Sequence, residues 1–304
     1  MIRRFDNLLL KRLPKTKGEY IENAPIGKKT WFRTGGLAEV LFEPHDKNDL
    51  ISFIKNIKTN TPLTIIGRGS NLLVRDGGVP GVVIKLNNSL AQITFKKDKI
   101  EAGAGILNHK IVQECKKRSV SGLEFLVGIP GSIGGAVAMN SGAYGKEIKD
   151  IVQSVEIITK TGKRKIIPEE KIKFQYRKAL LPKDSLITQV NLNFSKGKKT
   201  EIEELIKIIQ RERKKTQPIN SKTCGSTFRN PKGCKAWELI DKAGCRGMKM
   251  GSAMISDKHC NFIINTSTAS AKEIEALGKQ VIKMVKQKTG VKLEWEIKRV
   301  GSYS

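Results

Sequence analysis

The sequence predicts an α+β chain in two parts: a larger α+β region to about residue 200 and a smaller α/β region after it. Three observations carry this. A strand, helix, strand unit spans residues 38–66. Short alternating segments, not long helices, fill most of the stretch from 81 to 194. Beyond residue 200 the texture changes to two amphipathic helices that flank two short strands.

In chain order, Leu50, Phe53, Ile54 and Ile57 recur at i, i+3, i+4 and i+7, one face of a helix over 47–58. AEVLFE (38–43) and PLTII (62–66) read as its flanking strands. GVVIKL (81–86), QITF (92–95) and KIEAG (99–103) follow as strands, with KKDK at 96–99 as a hairpin turn. Leu107, Ile111 and Cys115 predict a helix over 107–118. SVEIITKTGKRKII reads as two strands joined around Thr161-Gly162, and LITQVNLNF (186–194) as another. Thr200 and Glu203 form a capping-box pair that opens a helix to about Lys215, with Pro218 beyond its end. Ser270 and Glu273 repeat the device before a helix with Ile274, Leu277, Val281, Met284 and Val285 on one face. Between the two helices, AMIS (253–256) and NFIIN (261–265) are strand-like, and the chain closes with KLEWEIKRVG.

The 304 residues carry 57 basic and 29 acidic side chains, a formal charge of +28. The basic runs (KKR at 116–118, KGKK at 196–199, RERKK at 211–215) are short and spread along the chain. They read as a solvated surface; polyanion binding is the alternative, and it requires affinity that falls steeply with salt. Five cysteines without a CxxC spacing and only three histidines leave no zinc pattern and fit reduced thiols in a cytoplasmic protein. The apolar run Leu8–Leu10 is too short for a signal peptide. Phe125–Met139 is the least charged stretch, but it holds four glycines and Pro130, and a spanning helix needs about 20 mostly apolar residues.

Two glycine-rich segments stand out: GRGSNLLVRDGG at 67–78 and GLEFLVGIPGSIGGAVAMNSGAYG at 122–145. Glycine lets successive N–H groups converge on one point and removes the Cβ that would hold a ligand away. Ser70, Asn71, Ser132, Asn140 and Ser141 add uncharged donors. A pyrophosphate cradle fits this composition, yet neither GxGxxG nor GxxxxGK[ST] is present. Taken singly, each loop reads equally as a set of tight turns.

The motifs together narrow the choice. GRGSNLLVRDGG resembles the pyrophosphate loop of the para-cresol-methylhydroxylase-type FAD fold. GIPGSIGGAVAMNSGAYG resembles the second FAD-contacting segment of the UDP-N-acetylenolpyruvoylglucosamine reductase family. TWFRTGG (30–36), AGAG (102–105), FQYRKALL (174–181), CGSTFRNP (224–231), AWELIDKAGCRGMKMGSAMISDKHCNFIIN (236–265) and LEWEIKRVG (293–301) resemble that family's other motifs, in order. The wording and length resemble its second, shorter class.

The resemblance implies a two-part FAD-binding region followed by a smaller α/β substrate-binding domain. Residues 1–60 would form the first FAD-binding subdomain, with the tail 298–304 packing against it, 61–200 the second, and 201–297 the substrate domain. It implies that NADPH reduces FAD, and that the flavin N5 passes hydride to the enolpyruvyl group of UDP-N-acetylglucosamine enolpyruvate, giving UDP-N-acetylmuramate for peptidoglycan. Cofactor contacts are expected from Gly67, Arg68, Gly69, Ser70 and Asn71, and from Gly128, Pro130, Gly131, Ser132, Gly134, Gly135, Ala136, Asn140, Gly142 and Ala143.

Carried over motif by motif, Arg177 falls on the family's catalytic arginine, Ser226 on its proton-donating serine and Glu296 on its glutamate. Their residue types suit this chemistry, because hydride attack pushes charge onto a carboxylate and calls for a permanent cation and a proton donor. On composition alone each would read as a surface or turn residue. Tyr176, Arg229, Asn230, Lys258 and His259 lie in or beside the same motifs and are candidate substrate contacts. His259 by itself reads as a packed histidine, and Arg229 stands where lysine is expected. The flavin should be non-covalent, because the first glycine loop has no histidine; the three present are His45, His109 and His259. No metal, specific nucleic acid or membrane partner is implied, and a monomer is the expected state.

Overall fold

The structure, a computed structural model, describes residues 4–6, 8–86 and 88–303. Its first sheet orders the strands Glu19–Ala24, Ala38–Glu43, Val79–Lys85 and Leu63–Ile66. The first pairing is antiparallel and the other two are parallel. Asp46 caps the crossover helix Lys47–Asn56 by accepting the Asp49 N–H at 2.8 Å. Leu50, Phe53 and Ile54 then face the sheet, where Phe53 meets Phe42 at 4.4 Å between ring centroids. The strand Val79–Lys85 inserts between the two strands of the predicted unit. The expected boundary at residue 60 therefore falls inside this sheet.

A second sheet is antiparallel and five-stranded, in the order Arg164–Pro168, Val152–Ile158, Leu186–Leu192, Ile100–Gly103, Ile93–Phe95. One continuous apolar core runs from Phe42 and Val82 of the first sheet to Val155 and Val190 of the second. The helix Ile133–Ala138, cut from the second glycine segment, packs on the second sheet. Gly134 makes this possible: a Cβ there would lie 2.8 Å from the Ala104 Cβ and 3.0 Å from its carbonyl oxygen.

The helix Lys199–Thr216 starts earlier than its sequence predicts. Thr200 is not its cap; Lys198 occupies that position without a side-chain hydrogen bond. Glu203 pairs with Lys116 at 3.5 Å instead of reaching back to Thr200. The chain enters this helix straight from the paired strand Ser195–Lys196, with the Gly197 N–H held by Ser119 O, so Thr200 is already inside the first turn. The helix buries Ile202 and Ile209 and packs on the Glu124–Gly128 turn and the helix Asn108–Lys117. It thus joins the central part, whereas the sequence assigned it to the C-terminal one.

The C-terminal part is a three-stranded antiparallel sheet (Lys249–Met250, Ala253–Ile255, Ile263–Asn265) packed against the helix Ala271–Thr289, which also meets the helix Ala236–Lys242. Here the predicted cap forms: Ser270 Oγ accepts the Glu273 N–H at 3.1 Å and the Glu273 carboxylate accepts the Ser270 N–H at 2.7 Å. Leu277 and Val281 are wholly buried, each contributing about 1.5–3 kcal/mol. The closing segment is strand only over Lys298–Val300, which pairs in parallel with Leu72–Val74. Val300 packs against the core of the first sheet, and Tyr303 donates to Glu275 at 2.9 Å. Among the described residues no helix is long and apolar enough to cross a membrane.

Candidate active site

The three parts converge on a cavity of ≈ 500 Å³. Both glycine segments line it, and the C-terminal part adds Ser226 and Glu296. Of the glycine-loop residues expected to contact cofactor, all but Asn140 lie on its wall.

The two loops close on each other. Ser70 Oγ donates to Pro130 O at 3.2 Å. A Cβ on Gly131 would stand 2.6 Å from Ser70 Oγ, and one on Gly67 2.6 Å from Ser132 Oγ. Gly131 also sits at φ +107, a conformation that other residues rarely adopt. Trp31, from the TWFRTGG segment, donates its N–H to Gly69 O at 3.1 Å and lines the same wall. The N–H groups of Gly67 through Asn71 donate to no group among the described residues.

Arg177 occupies the turn of the hairpin Lys173–Gln175/Lys178–Leu180, at φ +58. Its Nε donates to Glu296 Oε1 at 3.0 Å and its Nη2 to Gly142 O at 3.4 Å. Tyr176 lies beneath the guanidinium, 4.8 Å from ring centroid to Cζ. Gly142 leaves the room: a Cβ there would come within 3.2 Å of Arg177 Nη1. Asn140 sits behind the wall, buried, and ties the end of the glycine segment to the hairpin. Its amide donates to Gln175 O at 3.2 Å and to Glu147 at 3.1 Å, and it accepts the Lys149 N–H at 3.1 Å. It positions Arg177 through the backbone.

Glu296 is reached from the other side. The segment Ser226–Arg229 runs antiparallel to it: Glu296 N–H donates to Thr227 O at 2.9 Å and Arg229 N–H to Glu294 O at 2.8 Å. Asn71 joins this strand to the first loop, donating to Glu296 O at 3.3 Å and accepting the Lys298 N–H at 3.2 Å. Burial raises the Glu296 carboxyl above its ordinary value, while Arg177 and Arg229 pull it the other way. Ser226 follows Gly225, whose φ of +80 makes the turn, and its hydroxyl has no partner among the described residues. Neighbouring Cys224 is not a nucleophile: burial pushes its thiol up to about 12, and the thiol donates to Leu72 O at 3.3 Å.

The other expected substrate contacts are less central. Arg229 is near Glu296, and its Nε is buried without a partner among the described residues. Asn230 accepts the Ala236 N–H at 2.9 Å, and its own N–H meets the Tyr176 hydroxyl at 3.3 Å. Lys258 donates to Lys214 O at 2.6 Å, at the C-terminal end of the helix Lys199–Thr216. His259 stacks edge-on to Phe262 at 4.7 Å, takes the Asn261 N–H on Nδ1, and has its pKa lowered by burial, as a packed neutral histidine does. None of Tyr176, Arg229, Asn230, Lys258 and His259 lines the cavity. Sequence reasoning missed Trp31, Arg213 and Lys298, which do. Lys298 lies two residues after Glu296 in the closing motif, but the chain bends at Ile297 between them, so strand alternation could not have placed it.

A family model described as an FAD binding domain matches residues 38–167. Another, for the C-terminal domain of UDP-N-acetylenolpyruvoylglucosamine reductase, matches 217–300. The reductase of that name from Orientia tsutsugamushi (strain Boryong) is 47% identical over 296 residues, covering 96% of this chain and 98% of the relative. That of Rickettsia rickettsii (strain Sheila Smith) is 47% identical over 291 residues, covering 96% and 99%. The crystal structure of the Thermus caldophilus reductase superposes with a TM-score of 0.81 at 34% identity, over 94% of this chain and 100% of that one.

The cavity fits FAD on its own evidence: a run of unpaired N–H groups beside Arg68 suits a diphosphate, and the facing glycines leave space against the backbone. The chain belongs to the UDP-N-acetylenolpyruvoylglucosamine reductase family, FAD-dependent oxidoreductases that act in peptidoglycan precursor synthesis.

Proposed function

We propose that this chain uses NADPH to reduce the enolpyruvyl group of UDP-N-acetylglucosamine enolpyruvate to UDP-N-acetylmuramate, in the cytoplasm, with Arg177, Ser226 and Glu296 as its catalytic residues. The observation that carries the reading is a single one. The glycine cradle and these three side chains share one cavity, although they come from segments far apart in sequence.

Bound FAD supplies the hydride relay between NADPH and the β-carbon of the enolpyruvyl group. Gly67–Asn71, with Arg68, would hold its diphosphate, and the Gly128–Ala136 stretch would lie against the rest of it. Arg177 is a permanent forked donor, suited to the substrate carboxylate as charge builds there. Its Nε is committed to Glu296, which aims the remaining N–H groups. Glu296, held towards its protonated form by burial, can donate a hydrogen bond to the same carboxylate. Arg229, beside Glu296 but off the cavity wall, adds positive charge behind this end. Ser226 delivers the proton to the α-carbon: a weak acid in water, it serves when held beside a strongly basic carbanion. Tyr176 and Asn230 brace Arg177 and the Ser226 segment.

The test is an anaerobic titration of purified protein followed by visible absorbance. NADPH should bleach the yellow protein, and UDP-N-acetylglucosamine enolpyruvate should restore the colour. Protein that bleaches but does not recolour would remove the substrate assignment. Protein that stays colourless when FAD is supplied would remove the cradle.

A further inference from the structure

We propose that Asn108 is a positioning residue for the cofactor: its side chain pins the turn Ile129–Gly131 against the loop that seats the diphosphate. The proposal rests on the FAD reading of the cavity.

The turn is a thin wall. Ile129, Pro130 and Gly131 line the cavity, and the same three residues line an adjoining cleft of ≈ 870 Å³. A backbone with open space on two faces has little packing to hold it, and Gly131 at φ +107 adds conformational freedom. Its shape therefore depends on hydrogen bonds, and three successive carbonyls are held. Asn108 Nδ2 donates to Ile129 O at 3.0 Å, Ser70 Oγ to Pro130 O at 3.2 Å, and the Asn108 N–H to Gly131 O at 3.1 Å. Asn108 thus grips the chain on both sides of Pro130. It is the first residue of the helix Asn108–Lys117, which gives the grip a rigid base.

The grip also sets a direction. A trans peptide points its N–H opposite to its carbonyl. With Gly131 O drawn to Asn108, the Ser132 N–H points away from it, and it donates to no group among the described residues. Ser132 lines the cavity and packs on Gly67, whereas Asn108 lies outside the wall. The Ser132 N–H therefore extends the row of unpaired donors at Gly67–Asn71. Released from Asn108, the Ile129 carbonyl is free to turn and present its negative end to the diphosphate.

Packing alone does not account for an asparagine here. Asn108 is 1% exposed, and its Oδ1 is buried without a partner among the described residues. An unsatisfied buried acceptor costs stability, so the residue is explained by its donor end.

The experiment compares FAD-loaded wild type with Asn108→Leu, which keeps a side chain of similar size and removes the donor. FAD affinity is read from the flavin fluorescence released on serial dilution, and the phosphorus-31 resonances of the bound diphosphate are recorded beside it. Asn108→Leu should raise the Kd for FAD about tenfold, the scale of one lost hydrogen bond, and shift those resonances. Asn108→Ala is read in the same way if the leucine variant does not fold. Wild-type affinity and unshifted resonances, with only a lower denaturant midpoint, would overturn the proposal and leave Asn108 a packing residue. Weaker binding with unshifted resonances would also overturn it, since the diphosphate seat would be intact. Wild type that binds no FAD would sink the cofactor reading instead, so the two failures are distinct.

Discussion

The two ends of the cavity are built on opposite principles. The glycine end works by what is missing. Gly67, Gly131, Gly134 and Gly142 are required because a single carbon at any of them would meet a neighbour at 3.2 Å or less. The ionic end works by what is present: Arg177, Ser226 and Glu296 come from three segments, and the Arg177–Glu296 contact alone spans 119 residues. Damage to the first should appear as lost cofactor and lost fold together. Damage to the second should leave a folded, yellow, inactive protein.

The largest expected effect lies at the ionic end. Arg177→Ala should lower turnover about 10²–10³-fold, the usual cost of removing one donor to a developing oxyanion, with FAD content unchanged. Steady-state rates beside the flavin-to-protein ratio check it; loss of FAD in this variant would blur the distinction between the two ends. At the glycine end, Gly131→Ala forces a side chain into φ +107 and against Ser70 Oγ. It should cost about 1–3 kcal/mol of stability and weaken FAD binding in parallel. Denaturant midpoints and flavin fluorescence report the two losses, and a variant that keeps both would break the comparison.

Glu296 gives a pH signature. Burial raises its pKa above the ordinary 4.5, so the folded chain holds this proton more tightly than the unfolded chain. Its contribution then erodes stability as pH rises from the ordinary value through the folded one. Glu296→Gln removes that slope. Relative to wild type, the variant should gain denaturant midpoint on the alkaline side of the interval compared with the acid side; a constant difference would contradict the assigned direction. The smallest effect is expected for Cys224→Ala. Its thiol, pushed up to about 12, has no chemistry to lose, so turnover should stay within about twofold.

The same contrast explains what the sequence could reveal. The glycine end was legible because its requirement is local: a residue type missing a side chain, repeated within two short stretches. The helix after Ser270 was legible for the same reason, since its capping box is settled within four residues. Thr200 and Glu203 carry the same pattern and fail, because the strand pairing before them fixes where that helix starts. The sheet that spans the expected boundary at residue 60 was not legible, because Val79–Lys85 inserts between earlier strands, a long-range pairing that no local pattern encodes. Physical reading alone did not find Arg177, Ser226 and Glu296; the motif resemblance did, and their convergence is a property of topology. Asn140 shows what a local pattern leaves out. Its position in the glycine segment suggested a ligand contact, while its buried amide is spent on Gln175, Glu147 and Lys149.

The division of labour is tested most directly by resolving the two half-reactions in Ser226→Ala. NADPH should bleach the flavin of this variant at a rate close to wild type. Recolouring by UDP-N-acetylglucosamine enolpyruvate, with formation of the reduced sugar nucleotide, should slow about 10²–10⁴-fold, as loss of a general acid requires. Recolouring and product formation at the wild-type rate would contradict the role of Ser226, and an equal slowing of both half-reactions would contradict the separation of cradle from chemistry.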